Sequence, residues 1–261
     1  MVVGLKSPSP WRDREGLRVK YFLFALVGLF VGAFNALAGG AAVVSFPILV
    51  ATGINPVSAA MTNSIGIYSA NITALLSNKS DLRELLRIHR KFVTLILLGT
   101  VAGAIGLSVL PEKNFEKVAP FLMLIATYSL TPRAREKFMK IHRHFESALM
   151  IGVGLYGGYF GPGVGVMVIA MLAKDARTTP ATINGAKNMV TSLTGMISNL
   201  IFIASGEIVW SAAGALFVGA SFGGYVGGHL VHRFRAQTYR AFVFIIGISS
   251  SLWMFYKYVL H

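Results

Sequence analysis

Long apolar runs recur along this chain, and they restrict its fold more than any other feature of the sequence. They cover residues 21–34, 92–110, 147–173, 178–206 and 241–256, and only 13% of the 261 residues are charged. Soluble domains carry about 25% charged residues, whereas a helix that spans a bilayer needs about 20 mostly apolar ones. The short alternating segments of a transmembrane barrel are absent from the sequence. The pattern therefore predicts an all-α integral membrane protein that crosses the bilayer several times.

The charge balance and the missing residue types argue against several function classes. The formal net charge is +14, which would favour a nucleic-acid partner in a soluble protein. Here Lys and Arg in the loops fit the positive-inside rule and contact with anionic lipid headgroups. We therefore expect a lipid bilayer as the partner and no nucleic acid. The chain has no cysteine, and neither a catalytic triad nor the spacing of a metal site is recognisable. Accordingly, we expect no enzyme activity, no metal and no cofactor.

A shift of 125 residues superimposes the second half of the sequence on the first. Internal repeats of this kind are typical of transporters that are built from two related halves. We therefore divide the chain into an N-terminal tail (1–20), a first transmembrane repeat (21–131), a basic linker (132–146) and a second transmembrane repeat (147–261). The pairs brought together by the shift are Gly32 with Gly157, Gly40 with Gly165, Asn63 with Asn188, Thr73 with Ser198, Ser80 with Ser205, Gly99 with Gly224, and Gly103 with Gly228.

Each repeat is predicted to contain the same succession of helices. A Gly-rich apolar segment is followed by a shorter apolar piece, then by a long helix that carries an Asn motif, and finally by two more helices. Four or five of these segments per repeat would lie in the membrane, which gives eight to ten in all. The predicted segments are residues 21–38, 41–51, 57–77, 92–110 and 118–130 in the first repeat, and residues 148–160, 164–173, 182–205, 211–230 and 241–260 in the second.

The distribution of loop charges predicts how the two repeats are oriented. Loops 79–91 and 132–146 each contain five Lys or Arg residues, whereas loop 111–117 has two bases and two acids. The positive-inside rule places the first two loops on the cytoplasmic side and the third outside. In the second repeat the pattern is reversed, because loop 206–208 has one acid as its only charge and loop 232–240 has three Arg and no acid. The repeats are therefore predicted to be inverted.

An inverted arrangement requires an odd number of crossings in each repeat, for example five if both short apolar pieces span the membrane. It also leaves the basic stretch 12–20 outside, which is against the positive-inside rule. A parallel arrangement with four crossings per repeat therefore stays open as the alternative.

Glycine clusters interrupt the first segment of each repeat. Gly39 and Gly40 lie in the first repeat, and the run GPGVG at 161–165 lies in the second. Glycine and proline break helices, and broken backbone at membrane depth is tolerated only where it is buried or lines a cavity. Discontinuous helices direct partially positive N-termini towards bound anions. We therefore predict an anion site that includes Gly40, Gly163 and Gly165, with close helix packing by small residues as the alternative.

The two Asn-bearing helices supply the polar side chains for such a site. Asn184, Lys187 and Asn188 are spaced so that they share one helix face, and Thr62 and Asn63 occupy the corresponding place in the first repeat. Amide and hydroxyl groups donate hydrogen bonds to anion oxygens, and an ammonium group adds a full charge. These five residues are therefore predicted to contact the substrate.

Lys187 is the exception among the 24 Lys and Arg residues, because the other 23 fall in loops or at segment ends. An ionisable residue inside the membrane is by default a functional-site hypothesis. The alternative is snorkelling, since Lys187 lies roughly 10 Å from the start of its predicted helix and a lysine stem can reach the interface from there.

Three stretches of the sequence resemble the TauE/SafE family, whose members are described as sulfite exporters. They are GLFVGAFNALAGGAAVVSFPILVATGINPVSAAMTNSIGI, then GGYFGPGVGVMVIAMLA, and finally NGAKNMV. The resemblance extends from about residue 21 to residue 260 and matches the branch with an NxxKN motif, although Ala60 and Leu172 depart from the pattern. It implies a multi-pass protein of the bacterial inner membrane that exports a small sulfur-containing anion such as sulfite, a sulfonate or sulfoacetate.

The leading hypothesis is an anion carrier that works by alternating access between its two repeats. Asn63 and Asn188 would orient the oxygens of the anion while Lys187 supplies charge. An anion channel and a carrier for a different small organic anion are the alternatives, and the sequence is also compatible with a homodimer.

Overall fold

The structure is a computed structural model that describes residues 14–38, 40, 42–76, 90–140, 142–174, 179–230 and 236–260. These ranges are almost entirely helical and contain no β-strand, which confirms the predicted all-α class. The helices are α1 (Arg14–Ala38), α2 (Ala42–Ala51), α3 (Pro56–Leu76), α4 (Arg90–Val109), α5 (Glu112–Ser129), α6 (Pro132–Lys140), α7 (Glu146–Tyr159), α8 (Val164–Leu172), α9 (Pro180–Ser205), α10 (Trp210–Leu230) and α11 (Ala236–Phe255). A 3-10 turn (Arg143–Phe145) precedes α7, and a π-helical turn (Tyr256–Leu260) follows α11.

The ten predicted segments correspond to α1–α5 and α7–α11, with α6 in the basic linker. Helix α1 begins at Arg14, so the end of the predicted tail is already helical. Residues 1–13 of that tail, most of the basic loop 79–91, and residues 232–235 of the second basic loop lie outside the described residues.

Four helical stretches in the described ranges are long and apolar enough to cross a membrane: Arg18–Asn35, Arg90–Val109, Thr182–Ser205 and Ala241–Leu260. The count of eight to ten membrane segments therefore stays a prediction. Helices α3 and α10 have 21 residues each, which is enough to span, but α3 carries several polar residues and α10 is rich in glycine.

Both predicted helix breaks are present, and each is built around glycines with positive φ. Between α1 and α2, Gly40 has φ +79°; between α7 and α8, Gly161 and Gly163 have φ +94° and +87°. Residues with a side chain rarely adopt this conformation, whereas glycine adopts it readily. The glycine clusters thus end one helix and allow the next to start in a new direction.

At each break the chain turns back on itself. Lys20 Nζ, near the start of α1, donates to the carbonyl oxygen of Thr52 just after α2, at 3.1 Å. Lys174 Nζ, just after α8, pairs with Glu146 Oε1 at the start of α7, at 3.0 Å. Helices that continued in one direction would hold these ends about 40 Å apart at 1.5 Å per residue. We call α1–α2 the first hairpin and α7–α8 the second hairpin. In each hairpin the short helix runs back along the long one, so we call α1 and α7 the long arms and α2 and α8 the return arms.

The two repeats interlock through the long arms of the hairpins. The most extensive helix contacts in the described chain are those of α1 with α10 and of α4 with α7, and each joins one repeat to the other. Glycines let the backbones approach closely there, as is common between membrane helices. A Cβ atom added to Gly28, Gly32, Gly154 or Gly158 would collide with the carbonyl oxygen of Leu216, Ala220, Ile96 or Thr100, respectively.

These contacts correct the register of the repeat. The constant shift of 125 paired Gly32 with Gly157 and Gly99 with Gly224, and it paired Gly103 with Gly228. The packing contacts differ from that shift by one residue between α1 and α7 and by five residues between α4 and α10. The larger difference arises because the connection 77–89 is longer than its counterpart 206–209. Matching contacts instead pair Gly28 with Gly154, Gly32 with Gly158, Gly99 with Gly219, and Gly103 with Gly223.

Helices α3 and α9, which carry the Asn motifs, cross at the centre of the molecule. Ser64 Oγ donates to Asn199 Oδ1 at 2.7 Å, and Ser192 Oγ donates to the carbonyl oxygen of Asn71 at 3.1 Å. Residues later in α3 contact residues earlier in α9, so the two equivalent helices run antiparallel. Helices α5 and α11 are also equivalent and also antiparallel, as the hydrogen bond from Ser251 to Pro120 and the packing of Gly247 on Thr127 indicate.

Candidate anion-binding site

A cavity of about 80 Å³ lies where the tips of both hairpins meet α3 and α9. A water molecule needs about 10–15 Å³ of such volume, so the cavity has room for several waters or for a small oxyanion. Both repeats contribute to its wall. The lining residues are Asn35, Gly40 and Ala42 from the first hairpin, Asn63, Ser64, Ile67 and Asn71 from α3, Gly157 and Phe160 to Gly165 from the second hairpin, and Lys187, Thr191, Thr194, Gly195 and Ser198 from α9.

The return arms of the hairpins begin at this cavity. Helix α2 starts at Ala42 and helix α8 at Val164, and both residues line the wall. Some of their first N–H groups are used within the turns, because Val43, Val164 and Val166 donate to the carbonyl oxygens of Gly40, Gly161 and Gly163, respectively. The helix dipole nevertheless makes each end partially positive, and two such ends at one cavity would favour an anion.

Gly163, at the tip of the second hairpin, is required for reasons of space as well as backbone conformation. A Cβ atom on Gly163 would lie 2.9 Å from Ser129 Oγ, and one on Gly165 would lie 3.4 Å from Lys187 Cδ. The aliphatic stem of the lysine therefore passes directly over Gly165, which brings its ammonium group to the hairpin tip.

Lys187 is the one charged residue among the described residues that line the cavity. Its side chain is 3% exposed, so it faces the cavity instead of snorkelling to the surface of the protein. The ion pair between Lys174 and Glu146 is the one found in the described ranges, and it does not involve Lys187. A buried charge is costly unless a partner neutralises it, which makes Lys187 a strong candidate for contact with an anion.

Two polar atoms in the wall are buried and have no hydrogen-bond partner within the described chain: Asn63 Oδ1 and Ser198 Oγ. An unsatisfied buried group costs about 1–3 kcal/mol, and such groups in native proteins commonly face a water molecule or an ion. Asn63 lies on α3 and Ser198 on α9. Ser198 Oγ can donate to an oxygen of a bound anion, whereas Asn63 Oδ1 is an acceptor and needs a donor such as ordered water or a protonated ligand oxygen.

Asn35 and Asn71 form a second polar unit in the wall. Asn35 Nδ2 donates to Asn71 Oδ1 at 2.8 Å, which ties the first hairpin to α3. Because the carbonyl oxygen of the Asn71 side chain is thereby used, its amide N–H groups remain as donors. Asn35, Thr194 and Ser198 were not predicted from the sequence to line the site. Asn35 could have been predicted, because it is a polar residue in an apolar segment just before Gly39 and Gly40.

The structure brings together five of the eight predicted substrate-binding residues. The five that line the cavity are Lys187, Asn63, Gly40, Gly163 and Gly165.

Asn184, Asn188 and Thr62 lie outside the cavity wall. Asn184 is exposed one turn before Lys187, and Asn188 Nδ2 donates to the carbonyl oxygen of Ala74 at 2.9 Å. Thr62 Oγ1 accepts from the backbone N–H of Val209 at 3.0 Å. Successive residues differ by about 100° around a helix, so Asn188 and Thr62 point away from the wall that Lys187 and Asn63 form. Both residues instead join the two repeats.

The comparisons with known proteins agree with a transport function. A family model described as "Sulfite exporter TauE/SafE" matches residues 24–254. A "probable membrane transporter protein" of Haemophilus influenzae is 27% identical and is matched over 92% of this chain and 96% of its own length. The "probable membrane transporter protein YfcA" of Escherichia coli is 23% identical over 88% of this chain and 87% of its own. Among solved structures, none matches the chain.

Proposed function

The chain belongs to the TauE/SafE family of sulfite exporters, and we propose that it carries a small sulfur-containing anion through the cavity between its hairpins. It is a multi-pass membrane transporter, and we place it in the bacterial inner membrane as an exporter. The observation that carries the proposal is the buried ammonium group of Lys187 in a small cavity at which two helix N-termini begin.

The donor set suits a compact oxyanion. Lys187 supplies the charge, the partially positive N-terminal ends of α2 and α8 add to it, and the side chains of Asn63 and Ser198 supply further polar contacts. These groups come from different directions, which matches the oxygens of sulfite or a sulfonate around a central sulfur. The small volume of the cavity, about 80 Å³, favours sulfite and short sulfonates over larger organic anions.

Alternating access requires two related halves that can rock against each other around a central site. The antiparallel packing of equivalent helices supports inverted repeats, because a two-fold axis perpendicular to the helices turns one repeat upside down relative to the other. A two-fold axis along the membrane normal would make equivalent helices parallel. The contacts between α3 and α9 and between α5 and α11 are both antiparallel, which favours the inverted arrangement over the parallel one.

The proposal is tested with purified protein and with proteoliposomes. Loss of a charged hydrogen bond weakens binding roughly 10- to 100-fold, so Lys187→Ala should abolish thermal stabilisation by millimolar sulfite or methanesulfonate and should abolish their uptake. Asn184→Ala, which changes an exposed residue of the same helix, is the matched control and should behave as wild type.

Uptake by Lys187→Ala at the wild-type rate would contradict the site, and stabilisation by carboxylates alone would contradict the substrate class. Saturable counterflow distinguishes a carrier from a channel, for which single-channel currents are the expected signature.

A further inference from the structure

Lys187 has no counter-charge among the described residues that line the cavity. The groups that face it from the first hairpin and from α3 are neutral amides, hydroxyls and apolar side chains, and those from the second hairpin are glycines, a proline, a valine and a phenylalanine. Two carboxylates of the described chain are used elsewhere: Glu146 pairs with Lys174, and Glu207 accepts from Ser58 at 3.2 Å. The charge of the site is therefore balanced only when it holds one negative charge.

This imbalance affects the empty carrier most. To change the side to which the cavity opens, an alternating-access carrier passes through a state that is closed on both sides and has little water. In that state an empty site holds an unpaired ammonium group in a medium of low dielectric constant, which is strongly unfavourable. A bound monoanion removes the penalty, whereas a dianion leaves the site with a net negative charge.

We propose that the protein is an exchanger of singly charged anions, in which the charge of Lys187 prevents the empty carrier from reorienting. This inference rests on the proposed carrier function. In one cycle an anion leaves on one side and a second anion returns from the other. As long as Lys187 carries its proton, no other ion has to move, and the exchange of one monoanion for another is electrically neutral.

The size of the effect follows from the cost of a lysine charge at the centre of a membrane helix. That cost corresponds to roughly a 100-fold slower reorientation of the empty carrier. Net flux into vesicles without internal anion should therefore be about 100-fold slower than exchange.

The test uses the full-length protein in liposomes that contain either methanesulfonate or the bulkier gluconate. Uptake of labelled methanesulfonate, a monoanion at all pH values at which the protein is folded, is measured with and without a potassium diffusion potential set by valinomycin. We expect rapid uptake into the methanesulfonate-loaded vesicles, uptake slower by about two orders of magnitude into the gluconate vesicles, and no effect of the potential on exchange.

Variants connect the result to Lys187. In Lys187→Gln the empty site has no charge, so at a methanesulfonate concentration raised about 100-fold to offset the weaker binding the rates into loaded and gluconate vesicles should converge. Lys187→Arg keeps the charge and should keep the dependence on internal anion. Lys257→Gln, at an exposed lysine beside Trp253 and Tyr258, is the control and should match wild type. Size-exclusion chromatography and thermal unfolding show whether each variant is folded.

The outcomes separate this inference from the function on which it rests. Equal rates into loaded and gluconate vesicles for the wild type would overturn exchange alone, as would exchange that responds to the potential. A dependence on internal anion that survives unchanged in Lys187→Gln would overturn the role of Lys187. No uptake by the folded wild-type protein in either kind of vesicle would overturn the carrier function itself and the exchange inference with it.

Discussion

Aromatic clusters lie beside both hairpins at equivalent positions, and they differ in how tightly they pack. Beside the second hairpin, the ring of Phe160 lies 5.0 Å from that of Phe46, 6.0 Å from that of Tyr156 and 6.3 Å from that of Phe115. All four side chains are buried. Aromatic rings at such separations contribute packing energy beyond the area that they bury.

The register defined by the glycine contacts makes Phe34 the counterpart of Phe160 and Phe30 the counterpart of Tyr156. The rings of Phe30 and Phe34 are 4.7 Å apart, and that of Phe242 is 5.6 Å from Phe30. Phe30 and Phe34 are only half-buried, and Phe242 is 48% exposed. The first cluster is thus present but open to its surroundings.

Two repeats with the same helices therefore differ in how tightly their aromatic clusters are packed. Regions with few buried contacts open at lower free-energy cost than densely packed ones. We therefore expect the end of α1 at Phe34, in the first hairpin, to move more readily than the end of α7 in the second, where Phe160 packs on rings from α2 and α5. The following predictions test that inequality.

The largest effect is expected from truncating the central ring of each cluster. Phe160→Ala should lower the free energy of unfolding by about 3–5 kcal/mol, because it leaves a cavity in a packed cluster. Phe34→Ala, at a half-buried position, should cost about 1 kcal/mol. Equilibrium unfolding in mixed detergent micelles measures both. Equal losses would contradict the proposed difference between the hairpins.

The next effect concerns the glycine contacts, which the two repeats share. Gly158→Ala and Gly32→Ala should each destabilise the protein by about 1–3 kcal/mol, because each new methyl group would be forced against a backbone carbonyl. Gly152→Ala is the control, since a Cβ atom there meets nothing within 4 Å. If only one of these two substitutions lowered the free energy of unfolding, the repeats would also differ in how tightly α1 packs on α10 and α7 packs on α4.

The smallest effect concerns a hydroxyl group that only the second hairpin has. Tyr156 Oη donates to the carbonyl oxygen of Pro162 at 2.7 Å and approaches that of Leu122 at 3.2 Å, whereas Phe30 at the equivalent place has no hydroxyl. Tyr156→Phe should cost about 1 kcal/mol and should speed backbone hydrogen exchange at Gly161 and Gly163. Tyr159→Phe, which removes a hydroxyl group with no hydrogen bond in the described chain, is the control. Unchanged exchange in Tyr156→Phe would show that this bond does not hold the hairpin tip.

The sequence predicted the local features of the fold because local chemistry determines them. Glycines in an apolar segment located both helix breaks, at Gly40 and at residues 161–165, and the boundaries of the flanking helices followed from hydropathy. The reversal at each break was not predictable in the same way. A glycine permits a change of direction, but contacts between distant residues, such as Lys174 with Glu146, select which direction the chain takes.

The residues that line the cavity were predicted in part for a similar reason. Lys187 stood out by its charge, whereas α9 carries polar side chains on more than one face, and the sequence does not say which face meets the cavity. Asn188 was therefore grouped with Lys187, although it bonds to α3, and Ser198 was overlooked. A family resemblance does not resolve such differences of about 100° around a helix.

The interlocking of the repeats has a consequence for how the protein is made. Helix α1 is synthesised about 190 residues before α10, its principal packing partner, is complete, which corresponds to roughly 10–40 s at ordinary rates of synthesis. During that interval the glycine-lined side of α1, with Gly28 and Gly32, has to be covered by lipid or by the insertion machinery. Two half-chains produced from separate messages should therefore accumulate only when they are synthesised together.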